Sequence, residues 1–395
     1  MKCLVLAPEY PPTKGGIANA AATFAKQMAQ RGWMIEVCTQ AWQDLPDEQP
    51  EEEGRIHRLR INGDASVWNP PAGDLESFRH IVQSFRPDVA VIHGWQEWCV
   101  MMLPYLRTVG VPVILQGHSF TFHRMVWNPR PPFGLKKWAG YQPFVWRMPG
   151  LLCQLHALVV LGRNPDFRLS FDHWMGVRSG CRTLTIPNGV QRVSRPDVDI
   201  REYCPQASGK RIILNVANFC DRKNQSLAVE VAKQLNDEST FIILIGGEDN
   251  EYFRQIQSKI QRHHLSDRIA AYAGLPRAIT ESFIHACDLA MLTSKIEMQP
   301  LFLLEAMSIG KPWICPNVGS VAELNGGCLI PMDPGAIAAI IHNILNDRNL
   351  YATLSANALA QWQVEFNPEV VYSKWDSLLH KVAAEHQHPS DIQAF

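Results

Sequence analysis

Short apolar runs alternate with helix-like ones along most of this chain. Cys3–Ala7, Met34–Thr39, Val89–His93 and Val111–Gln116 have the length and composition of buried strands, and Ala18–Arg31, closed by Gly32, reads as a helix between two of them. Such alternation predicts a parallel sheet with crossover helices. A second series begins at Arg211–Ala217 and continues through Leu227–Leu235, Thr240–Ile245, Phe253–Arg262, Ile269–Ala273, Leu289–Leu292, a helix opened by Pro300, and Trp313–Cys315. The expected fold is therefore α/β, with two doubly wound domains. Between them lie Ile186–Val190 and a polar, proline-punctuated stretch to Pro205, the expected linker, which divides the chain into 1–190 and 191–364. The acidic stretch Asp47–Glu53 reads as a solvated loop.

Length supports the division, since 395 residues exceed one ordinary hydrophobic core. A hydrophobic content of 46%, a charged content of 19% and a net charge of −1 describe a globular protein with no general attraction to nucleic acid. The 10 cysteines are scattered, without Cys-x-x-Cys or metal-ligand spacing, and read as reduced thiols of a cytoplasmic protein. The amino terminus reaches Glu9 and Pro11-Pro12 too soon for a signal sequence, and Met148–Leu161 is broken by Gln154 and His156. Neither segment predicts a membrane anchor.

Candidate chemistry concentrates where apolar runs end. Glu297 and Glu305 stand eight positions apart, one before the Pro300 helix and one inside it, and Gly310 with Pro312 stops that helix. A carboxylate ahead of a helix N-terminus shares its surroundings with a natural anion site. Glu305, bracketed by Leu303, Leu304, Ala306 and Met307, needs a partner. Lys223 follows one strand-like run and precedes a helix, where an ammonium can meet diphosphate charge. Gly15-Gly16 lets bare backbone approach a ligand, or simply makes a tight turn. His93 and His118 each end an apolar run and are expected at one rim. Asp197-Val198-Asp199 has the look of a metal-binding pair, yet no apolar strand delivers it, so no metal is expected there. Between Glu97 and Asp166 there is no acidic residue, while Arg107, Arg124, Arg130, Lys136, Lys137, Arg147 and Arg163 are interleaved with Trp127, Phe133, Trp138, Tyr141, Phe144 and Trp146. That mixture suits an anionic lipid surface or an acidic, sugar-bearing acceptor, and equally an insertion packing its aromatics onto the domain.

The order of motifs resembles the retaining GT-B glycosyltransferases of family 4. It rests on Pro11-Pro12-x-x-Gly15-Gly16-Ile17, Ile186-Pro187-Asn188-Gly189-Val190, and Ser294-x-x-Glu297-x-Gln299-Pro300-Leu301-x-Leu303-Leu304-Glu305-Ala306-Met307. The resemblance implies a GT-B fold with two Rossmann-like domains facing a cleft, and a last helix within 365–395 that packs back on the amino-terminal domain. It implies donor contacts at Gly15, Gly16, Asn218, Arg222, Lys223, Gly246, Gly274, Glu297, Leu301 and Glu305. Among these, Glu305 would take ribose hydroxyls, Glu297 would lie near the transferred sugar, and Leu301 would open the turn whose N–H groups meet phosphate. His118, Lys223 and Glu297 would form the catalytic set, with His93 and Arg124 toward the acceptor. The sequence departs from the family at Asn218, where an arginine is usual, and at Pro300, where glycine is commoner. The implied function is transfer of a sugar from a UDP- or GDP-linked donor to a hydroxyl acceptor, with no cofactor or metal and with possible peripheral membrane contact through 119–150. The alternatives are a non-catalytic nucleotide-sugar-binding or scaffold relative, and a nucleotide-sugar hydrolase or epimerase.

Overall fold

A computed structural model describes the chain apart from residues 14, 43–44, 52–53, 65–68, 96–97, 119–144, 167–169, 195–197, 236 and 388–395. The chain divides into two compact units, Met1–Pro187 with the segment from Val371, and Asn188–Val370.

The first unit is built on β1 (Lys2–Ala7), β2 (Met34–Gln40), β3 (Glu48–Glu51), β4 (Gly54–Leu59), β5 (Ile61–Asp64), β6 (Asn69–Gly73), β7 (Val89–His93), β8 (Val113–Gln116), β9 (Ala157–Val160) and β10 (Thr183–Thr185). Eight of them make one sheet in the order β10-β9-β8-β7-β1-β2-β4-β3, parallel except at the β3 edge, while β5 and β6 form a separate ribbon. Leu4 and Leu6 enter one apolar cluster, and Cys3, Val5 and Ala7 enter another on the opposite face. Burial on both faces is why β1 is apolar from Cys3 to Ala7 rather than alternating. The helix Pro368–Gln387 lays Val371, Trp375, Leu379 and Val382 into the cluster that holds Phe24 and Met28 of the helix Gly16–Gln30. Trp33 anchors it further, donating to Asp376 at 2.6 Å.

One expectation fails here. Residues 48–51 of the acidic stretch are not a loop but an edge strand, paired antiparallel with β4. An edge strand needs hydrogen bonds on one side and little apolar burial, so a polar run containing Pro50 can form it without any apolar signal.

The second unit has six parallel strands, β11 (Arg211–Val216), β12 (Thr240–Gly246), β13 (Ile269–Ala273), β14 (Leu289–Met291), β15 (Trp313–Pro316) and β16 (Gly327–Ile330), in the order β13-β12-β11-β14-β15-β16. Pro300 caps the helix Leu301–Ser308 from outside, with ψ of 106°, and Gly310 ends it at φ of +70°. In each sheet the strand order reverses once, between β1 and β7 and between β11 and β14, and open α/β sheets hold ligands at the carboxyl ends of such a reversal. Among the described residues, no helix is long and apolar enough to cross a membrane, and all ten cysteines are free.

Candidate active site

At the reversal of the second sheet, the loops after β11 and β14 are stitched to each other. Buried Gln225 donates to the carbonyls of Ala217 and Asn218 at 3.2 and 3.1 Å, shaping the first loop. Thr293 Oγ1 donates to the Lys223 carbonyl at 3.1 Å, the Lys295 N–H to the Arg222 carbonyl at 2.8 Å, and Lys295 Nζ pairs with Asp221 at 2.7 Å. These ties bring Lys223 Nζ to 2.6 Å from Glu297 Oε1, with side-chain exposures of only 17% and 7%. Burying two charges carries a desolvation penalty that their attraction roughly offsets, so the pair adds little net stability. What it does add is a cation and a carboxylate held in fixed places.

The Glu297 loop is held from behind. Gly319 has φ of +55°, and a Cβ there would lie 2.3 Å from the Met298 carbonyl oxygen and 2.4 Å from that of Glu297. No other residue fits that approach. Ser320 donates to the Met298 carbonyl through both N–H and Oγ, at 2.8 and 3.0 Å, and Gln299 Oε1 accepts from the Asn188 N–H at 2.6 Å. The last contact explains why Asn188-Gly189 and the Glu297 block belong to one motif set. Behind the pair, burial and then the Glu297 charge hold the Cys315 thiol well above its ordinary range.

Glycines form the neighbouring surface. Gly274, at φ of +72°, donates its N–H to the Gly246 carbonyl at 2.9 Å, and a Cβ on Gly247 would stand 2.9 Å from Asn218 Oδ1. Asn218 therefore sits beside this bare backbone and is exposed, as is Arg222. Leu301 is the first residue of its helix, where N–H groups lack intrahelical partners. Glu305, one turn on, does have the partner its apolar flanks demand: Arg277 Nη2 donates to Oε1 at 2.7 Å. Burial pushes the Glu305 carboxyl above the usual range, and Arg277 opposes that shift.

In the first unit, Gly15 caps the helix Gly16–Gln30 with its backbone, and a Cβ there would lie 2.6 Å from Glu9 Oε2, whereas Gly16 faces open space. At the ends of β7 and β8, His93 Nδ1 and His118 Nε2 share a hydrogen bond of 3.2 Å between nearly parallel rings. His93 is 0% exposed, which departs from the expectation of a direct acceptor contact: it reaches the rim only through His118. Burial, and then His118, depresses His93 well below the usual imidazole range, and burial takes His118 down to about 4. Both rings are therefore neutral near pH 7.

Behind them lies a carboxylate with no sequence signal. Asp172 is 1% exposed, accepts from Ser170 Oγ at 2.9 Å and the His173 N–H at 3.1 Å, and has Trp95 beside it. A Cβ on Gly117 would come within 1.9 Å of Asp172 Oδ2, so only glycine lets the His118 turn pass. Arg277 was equally missed. Its place three residues after Gly274, at the start of a helix facing the strand ends, was the available signal. Arg124, Asp197 and most of 119–150 lie outside the described residues, while Asp199 caps a helical turn through the Arg201 N–H at 2.9 Å. Among the described residues, no group of three or more His, Cys, Asp or Glu side chains is arranged to hold a metal ion.

Comparison with known proteins is consistent with this architecture. The model of "Glycosyl transferase 4-like domain" matches residues 15–189, and that of "Glycosyl transferases group 1" matches residues 199–361. N-acetyl-alpha-D-glucosaminyl L-malate synthase of Bacillus anthracis is 25% identical over 182 residues, 45% of this chain and 47% of that protein. The chain thus spans about half the length of the curated relatives it matches. Sucrose-phosphate synthase from Thermosynechococcus elongatus superposes with a TM-score of 0.78 at 20% identity, covering 97% of this chain and 99% of that one. HepE of Anabaena, solved in complex with UDP-glucose, superposes with a TM-score of 0.69 at 18% identity, covering 96% and 100%. At such identities the likeness shows the fold, which is GT-B. With one model matching in each unit and two doubly wound sheets beneath them, the chain belongs to the group 1 glycosyl transferases.

Proposed function

We propose that this protein transfers a sugar from a nucleotide-sugar donor to a hydroxyl acceptor with retention of anomeric configuration, in the synthesis of a glycan or glycoconjugate. The observation that carries the reading is the Lys223–Glu297 pair, 2.6 Å apart and largely buried at the reversal of the second sheet. In this reading the second unit binds the donor. Glu305 accepts from ribose hydroxyls, the backbone at Gly246 and Gly274 lies along the nucleotide, and N–H groups from Leu301 onward meet the diphosphate. Glu297 lies near the sugar. Lys223, with Arg222 nearby, stabilises charge that grows on the departing diphosphate, and Asn218 offers a neutral amide where relatives use a cation. The role of a divalent metal is thereby taken by backbone and side-chain donors.

The first unit binds the acceptor, with Gly15-Gly16 along its path and neutral His118 beside the transferred sugar. The acceptor hydroxyl gives its proton to a leaving phosphate oxygen, so catalysis is largely positional and electrostatic. The UDP-glucose bound by the Anabaena relative supports a UDP-linked donor. Calorimetry with UDP, ADP, GDP and their sugars on wild type and Glu305→Ala tests the donor half. One nucleotide should bind, and the variant should weaken it about tenfold, or about 1.4 kcal/mol. Absence of binding to wild type would sink the reading.

A further inference from the structure

Glu305 is not a free carboxylate waiting for a ligand. Arg277, first residue of the helix Arg277–Ala286, donates from Nη2 to Glu305 Oε1 and from Nε to Glu281 Oε1, both at 2.7 Å. The other oxygen of Glu281 accepts from Ser194 Oγ. One guanidinium is therefore fixed between two carboxylates, whose side chains are 15% and 17% exposed, while its own is 56% exposed.

Two consequences follow from this geometry. Arg277 uses one oxygen of Glu305 and leaves Oε2 for a ligand hydroxyl. A buried carboxylate stripped of its cation takes up a proton and becomes a donor, which reverses its hydrogen-bonding sense. The charged groups acting on Glu305 are Arg277 and Glu281, both from this one helix, and His285 acts on Glu281 in turn. The rigid fork suits the task, because it presents Nε–H and Nη2–H at a set spacing to two carboxylates, which a lysine ammonium on a flexible stem does not.

We infer that Arg277 is the positioning residue of the donor site, holding the Glu305 carboxylate in place as a hydrogen-bond acceptor for the donor's ribose hydroxyls. The inference rests on the donor reading above and assigns Arg277 no contact with reacting atoms.

The test is a double-mutant cycle read by calorimetry with UDP, ADP and GDP between pH 5.5 and pH 8, on wild type, Arg277→Met, Glu305→Gln and the double variant. Arg277→Met should weaken the bound nucleotide about tenfold at the acid end and recover part of it at pH 8. In the Glu305→Gln background the same change should alter affinity less than about twofold. Glu281→Gln, a milder change that only loosens Arg277, should move affinity in the same direction and lose its effect in the same background. Equal losses in both backgrounds, or a loss independent of pH, would overturn the positioning role while leaving the donor site intact. If wild type binds none of the three nucleotides, the donor reading falls and the inference falls with it. If Glu305→Gln binds as well as wild type, the ribose assignment alone is wrong and Arg277 has nothing to position.

Discussion

The two units carry strand-end sites that treat charge in opposite ways. In the second unit, Lys223–Glu297 and Lys295–Asp221 tie the loops after β11 and β14, and Arg277–Glu305 joins the helix after β13 to the helix Leu301–Ser308, each at 2.6 to 2.7 Å. In the first, the imidazoles of buried His93 and half-buried His118 are neutral, and Asp172 behind them is held by a hydroxyl and a backbone N–H rather than by a cation. A site built from fixed charges is organised in advance for a polyanion such as a diphosphate, whereas a neutral one suits hydroxyl groups. In the reading proposed above, that difference would serve a division of labour between donor and acceptor.

The largest test of that contrast is Lys223→Ala. Loss of the cation should lower turnover of the nucleotide sugar by about 100- to 1000-fold, and the stranded Glu297 should cost about 3 kcal/mol in urea denaturation. Adding Glu297→Gln should restore most of the stability and none of the rate. Unchanged turnover in Lys223→Ala would remove charge from the mechanism of the second unit.

Two glycine substitutions separate the units. Gly319→Ala drives a Cβ into the carbonyls of Met298 and Glu297 and should cost about 2–3 kcal/mol together with nucleotide binding. Gly117→Ala drives a Cβ into Asp172 and should disturb His118 while nucleotide affinity stays at the wild-type value. If both variants lose nucleotide binding alike, the assignment of the donor to the second unit is wrong.

A smaller effect is expected from His118→Asn, which should lower turnover about tenfold to a hundredfold with nucleotide affinity unchanged. The smallest is a pH dependence. The His118 value of about 4 lies below the ordinary value of 6.5, so the unfolded chain binds more protons between the two. Stability of the first unit is therefore full above about pH 6.5 and falls as pH drops toward 4. Its melting temperature should decline over that window by at least about 4 °C, and replacing both His93 and His118 by Asn should flatten the slope. A slope that survives in the double variant would place the titration elsewhere.

Most of the architecture was legible because its signals are local. A strand covered on both faces is apolar at nearly every position, so Val89–His93 announces itself with its ends correct. Helix stops at Gly32 and Gly310 follow from positive φ, which glycine alone adopts freely. The β3 edge was illegible for the converse reason, since its hydrogen bonds ask for no particular side chains.

Sequence by itself determined which residues stand at strand ends or in the turns after them, Lys223, Glu297, Gly15-Gly16, His93 and His118, and that Glu305 lies in the helix opened by Pro300. It also determined the fold class, because apolar runs and turn chemistry act over a few residues. Tertiary structure alone decided the pairings. Lys223 meets Glu297 across 74 positions and Arg277 meets Glu305 across 28, whereas His93 and His118, 25 positions apart, were expected together and share a hydrogen bond. It likewise decided that His93 is hidden, that Asp172 lies against Gly117, and that Glu305 already holds a cation. Strand order sets those meetings, and strand order depends on how whole layers pack, which no local run of residues encodes.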